Sequence, residues 1–132
     1  MSGYKLSQIE INKVLSTDAD TRLTYLVKRV ADWEVIWTLK DKTGFVLLGD
    51  KAGVQYVPVW PFAEYAQLSC TGTWTDAHPE AISLDRFMNK WIAGMIVDKR
   101  MVAIFPTPTD SPLVMSPEKF KLLLDEALTD YE

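Results

Sequence analysis

Apolar residues recur at Leu23, Leu26, Val27 and Val30 with polar residues between them, the spacing of a helix that buries one stripe. Thr17 or Asp18 can cap its start and acids occupy its first turn, so the helix is predicted to run to about Asp32. Ahead of it, "SQIE" from Ser7 to Glu10 is a capping-box pattern that predicts a short helix. At "EVIWTLK" the chain turns to β-branched and aromatic residues, and two similar turns follow, "DKTG" at 41–44 and "DKAG" at 50–53. In each, Asp opens a tight turn and Gly supplies its left-handed position. The pattern predicts an antiparallel three-stranded meander over 34–40, 45–49 and 54–60.

In the second half, Leu84, Phe87, Met88, Trp91, Ile92 and Met95 fall at helical spacing behind Ser83, a predicted N-cap. "RMVAIFP" at 100–106 reads as a buried strand and "PLVMS" as a short one. Ser116 and Pro117 then open a last helix whose buried face runs from Phe120 to Tyr131. Between the meander and these elements lies "VPVWPFAEYA", Val57 to Ala66. Pro58 cannot donate to a sheet ladder, so it belongs at an edge, at a bulge or where a strand leaves its neighbour. Pro61 fits the first position of a short helix. The expected fold is therefore one α+β domain over residues 1–132, in the order α-α-β-β-β-α-α-β-β-α, with helices packed on a mixed sheet.

At 132 residues and 48% hydrophobic, the chain is long enough for one core and needs no disulfides. Cys70 is the only cysteine and His78 the only histidine, too few for a structural zinc site; the expectation is a reducing, cytoplasmic setting with no metal or cofactor. The longest wholly apolar run, "WIAGMIV", is shorter than a membrane span, and the start of the chain lacks a signal-peptide pattern. A net charge of −4 with scattered Lys and Arg argues against nucleic acid.

Two places could hold a ligand. "VWP" at 59–61 and "IFP" at 104–106 both put an aromatic and a proline where an apolar strand ends. If those strands are adjacent and parallel, their ends form a crevice lined by Trp60, Tyr65, Phe105, Thr107 and Thr109; packing alone would account for the same residues. On the helix from 18 to 32, Arg22, Tyr25, Arg29 and Asp32 share a face away from the apolar stripe, which as an exposed surface would suit a partner's carboxylate or phosphate. Cys70, Asp76 and His78 lie close in sequence, without a nucleophile motif around them. "GDKAG" lacks the spacing of a phosphate loop.

Taken together, "RLTYLVKRVADWEVIWTL", "VPVWPFAEYA", "ISLDRFMNKWI" and "AIFPTPTDSPLVMSPEKFKLLLDEAL" resemble a bacterial family called domain of unknown function 2750, over roughly Thr21 to Leu128. The resemblance supplies no catalytic residue. Some relatives have a histidine after Trp-Pro, where this chain has Phe62. A more distant, fold-level likeness runs to SseB-like domains. The leading expectation is a non-enzymatic binding or accessory module that recognises a protein partner or small ligand through the Trp60/Phe105 corner, with the Arg22/Arg29 face as a second surface. The alternatives are a small enzyme using Cys70, His78 or Asp110 in the same crevice, and an immunity-type inhibitor acting through its acidic surface.

Overall fold

The computed structural model describes residues 6–108 and 112–130. Its first helices begin where the caps predict. Ser7 accepts from the Glu10 amide at 3.1 Å ahead of α1 (Gln8–Leu15), and Asp18 accepts from the Thr21 amide at 2.8 Å ahead of α2 (Ala19–Trp33). Leu26 and Val30 of α2 are buried as predicted, whereas Leu23 and Val27 are half-buried beside Leu123 and Ala127 of the C-terminal helix. The i, i+4 row through Leu26 and Val30 also carries Arg22 inward, to 2% exposure.

Strand β1 (Val35–Asp41) turns through Asp41, whose carboxylate accepts from the Thr43 amide at 2.8 Å, into β2 (Gly44–Phe45). The second turn is built the same way: Asp50 accepts from the amides of Ala52 and Val54, both at 2.9 Å, between β3 (Leu48–Gly49) and β4 (Gln55–Val59). Both hairpins are present, but the predicted middle strand 45–49 is not continuous. Its start pairs with β1 and its end with β4, so it serves two different sheets.

Beside β1 lies β5 (His78–Ser83), an antiparallel partner over six positions from Val35↔Ser83 to Lys40↔His78. The sequence reading leaves this stretch as loop, because Ile82 is its only fully buried residue and a strand with one inward side chain shows no alternation. The antiparallel three-stranded sheet is thus β2-β1-β5. The mixed sheet is β3-β4-β6-β7, with β6 (Met101–Ile104) parallel to β4 and β7 (Leu113–Met115) antiparallel to β6. The two sheets join at one bridge, where Trp37 and Trp60 exchange backbone hydrogen bonds of 2.9 and 2.8 Å.

That bridge explains Pro58. On the side of β4 facing β3 and β1, Tyr56 pairs with Leu48 and Trp60 with Trp37. The position between them has no ladder partner, and a proline there leaves no N–H unpaired. Its carbonyl is satisfied by the buried Thr38 hydroxyl, which donates at 2.7 Å.

Short helix α3 (Ala63–Gln67) begins two residues later than predicted, with Phe62 as its cap and Pro61 outside it. The predicted helix from Ser83 is present but interrupted: α4 (Leu84–Arg86) runs into a π turn, Phe87–Trp91, and on into α5 (Ile92–Asp98). The wider turn leaves Met88 and Trp91 half-buried at the margin of the core. Helix α6 (Pro117–Thr129), capped by Ser116, packs Phe120 and Leu124 against the core and touches α2 and α5. The result is an α+β fold with helices on a mixed sheet. No helix among the described residues is long and apolar enough to cross a membrane.

Candidate functional site

The strands ending at Trp60 and Phe105 are adjacent and parallel, in register from Tyr56↔Met101 to Val59↔Ile104. Beyond the ladder the Phe105 amide still donates to Val59 at 2.9 Å, and the Trp60 indole N–H donates to the Pro106 carbonyl at 2.9 Å. Tyr65 of α3 lies over this pair with its ring 4.8 Å from that of Phe105. The crevice residues are therefore brought together, but Trp60, Tyr65 and Phe105 are all buried. Thr107 is half-buried, and Thr109 and Asp110 lie outside the described residues. Phe105 adopts a left-handed backbone with φ of 50°, which costs a non-glycine residue about 1 kcal/mol and is held here by the buried ring.

The second predicted surface meets the same corner. Tyr25 packs its ring 6.3 Å from Phe105 and edge-on to Tyr65, and its hydroxyl donates to Glu10 at 2.6 Å while lying 3.0 Å from the Tyr65 hydroxyl. Arg29 stands over the Tyr25 ring at 5.4 Å and pairs with Glu10 at 3.8 Å and Asp32 at 3.6 Å. Arg22 corrects the expectation of an exposed face. It is buried, and its guanidinium donates to the Thr17 carbonyl at the α1–α2 junction, so it ties two helices together. Tyr25 and Arg29 are half-buried, and their charges and hydroxyls are engaged within the chain.

Tyr25 of the predicted partner face and Cys70, one of the reactive candidates, both hold their protons. Burial, followed by the hydrogen bond to Glu10, raises the Tyr25 phenol far above its ordinary range, so it keeps its proton at neutral pH. Burial also pushes the Cys70 thiol up, away from the thiolate a nucleophile needs, and its sulfur donates to the Ala66 carbonyl at 3.8 Å. His78 is exposed at the start of β5, 3.5 Å from Glu80. No group of three His, Cys, Asp or Glu side chains among the described residues is placed to hold a metal.

A third place has the geometry of a binding site. Between β2–β3 and the α4–α5 helix runs an open groove of about 460 Å³. Phe45, 42% exposed, meets Trp91 edge-to-face with centroids 4.7 Å apart, and Lys40 holds its ammonium 5.1 Å from the Phe45 ring. Leu47, Val57 and Met95 give the groove its apolar lining. Its charged rim carries Arg86, Lys90 and Arg100 against one acid, Asp98, which Arg100 pairs at 3.2 Å. Neither Arg86 nor Lys90 has an ion-pair partner among the described residues.

Gly94 marks this groove. A glycine inside a helix costs about 1 kcal/mol against alanine, and helices keep one where a neighbour approaches too closely for a Cβ. Here a Cβ would meet nothing within 4 Å. Gly94 is exposed, and the other described glycines likewise meet nothing, so the space in front of it is open helix surface along the groove. The signal was present in "WIAGMIV", a glycine breaking the chain's strongest helical pattern. Phe45 carries no such mark in the sequence, because its role depends on Trp91, far along the chain.

Residues 23–124 match the family described as protein of unknown function (DUF2750), and the chain belongs to that family. No curated protein and no solved structure matches the chain, and the likeness to SseB-like domains is not confirmed.

Proposed function

Starting from membership of a family of unknown function, we propose that this chain is a non-enzymatic, cytoplasmic binding module that holds its partner in the groove between β2–β3 and α5. The Trp60/Phe105 corner is its rigid support, and Tyr25 and Arg29 brace α1 and α2 against that support. The observation that carries this reading is the groove itself, where Arg86 and Lys90 line one wall with no ion-pair partner among the described residues and Gly94 leaves its middle open. The half-exposed Phe45–Trp91 pair beside it supplies an apolar anchor whose exposure is a cost without an occupant. The non-enzymatic reading draws support from Cys70, whose thiol burial pushes up, away from the thiolate a nucleophile needs.

The test is a melting-temperature screen of the protein against mixed metabolites and peptides, run beside Gly94→Met, whose side chain would extend into the groove without a clash at its Cβ. Compounds that raise the melting temperature of the parent should fail to raise that of Gly94→Met. Compounds that stabilise both equally would place recognition elsewhere and sink the proposal.

A further inference from the structure

We infer that the occupant of the groove is an extended, acidic peptide segment that seats one apolar side chain over Gly94. This rests on the groove being the binding site, and it adds the class of partner. The first argument is shape. Arg86, Lys90, Gly94 and Asp98 recur every four residues along one side of the α4–α5 helix and all line the groove. They mark out a trench about 18 Å long at 1.5 Å per residue, which an extended chain fills with about six residues. A compact metabolite would cover only part of it. The opposite wall comes from Phe45, Val46 and Leu47, at the junction of β2 and β3, each the terminal strand of its sheet.

The second argument is charge. The chain as a whole carries −4, yet the trench rim carries three cations to one acid. The excess is concentrated at the Arg86/Lys90 end. At the other end Arg100 is occupied, pairing with Asp98 and donating to Gln55 at 3.1 Å. The acids of the segment therefore belong at the Arg86/Lys90 end. Its apolar residue belongs between that end and Asp98, where the helix has no side chain and the Phe45 and Trp91 rings stand beside the gap. The π turn widens the helix at Phe87–Trp91, the segment that presents Trp91 to the trench, and such turns are frequent at functional sites.

The experiment follows the five tryptophan indole N–H resonances of the ¹⁵N-labelled full chain. The probes are two pools of end-blocked hexapeptides with a fixed central leucine: one with Asp and Glu at the flanking positions, the other with Asn and Gln. Phenylacetate serves as a small anionic aromatic. The acidic pool should shift the Trp91 resonance, weaken as salt rises, and lose its effect on Gly94→Met. Arg86→Gln and Lys90→Gln, both exposed, should each weaken it by roughly threefold with no change in melting temperature. An amide pool that binds equally well overturns the acidic assignment. Phenylacetate moving Trp91 where neither pool does would overturn the peptide and leave the groove standing as a small-molecule site. If no probe moves Trp91, or Gly94→Met leaves the shift unchanged, the groove reading fails together with the inference.

Discussion

The molecule holds two aromatic clusters that look alike in composition and differ in what surrounds them. At the corner, Trp60, Tyr65 and Phe105 are buried, the indole donates to Pro106, and the Tyr65 hydroxyl lies against that of Tyr25, which donates to Glu10. At the groove, Phe45 meets Trp91 edge-to-face and Trp91 stacks on buried Phe87, but both rings keep an exposed side, beside a glycine with open space in front of it. Aromatic density along a sequence therefore points to the cluster that packs. The cluster proposed to bind is assembled from a hairpin and a helix that the sequence keeps apart.

The sharpest way to break this comparison is to remove a ring from the corner. Phe105→Ala should cost about 3–5 kcal/mol, read as a lower urea midpoint, because it empties a fully buried site and leaves the left-handed backbone without the ring that holds it. A loss below about 1 kcal/mol, the range of ordinary surface substitutions, would mean the corner is loose enough to open for a ligand. A smaller effect tests how the corner is bonded. Thr38→Val keeps the shape but strands the Pro58 carbonyl in a buried position, so the same measurement should show a loss of about 1–3 kcal/mol. The smallest effect has the opposite sign: Gly94→Ala should raise stability by about 0.4–1 kcal/mol, measured as a higher melting temperature, since the new methyl group meets nothing and the unfolded chain loses freedom. A drop instead would show that the glycine serves the fold rather than the groove.

Much of the fold is written locally. Ser7, Asp18, Ser83 and Ser116 each cap the helix that the pattern assigns to them, and Asp41 and Asp50 each fold the turn. The proximity of Trp60 and Phe105 was legible too, because two strand ends with the same aromatic-proline signature suggested neighbours. Strand β5 was not, since Ile82 alone marks its inner face. Arg22 departs from the pattern because a charged residue beside a helical stripe is normally solvated, whereas here its guanidinium donates to the Thr17 carbonyl in a buried position. The groove is illegible for a different reason: apart from Gly94 none of its residues is unusual alone, and the cation excess appears only once the strands and the helix are side by side.

Pro58 carries one consequence beyond its place in the ladder. The two sheets share a single bridge, and fluctuation of that bridge would bare the side of β4 between Leu48's partner and Trp60. An exposed strand edge is ordinarily a template on which other chains aggregate. Here the bared stretch has no amide hydrogen at its centre, so a visiting strand cannot complete its pairing. The proline that closes the gap in the folded protein also protects it against self-association whenever that gap opens.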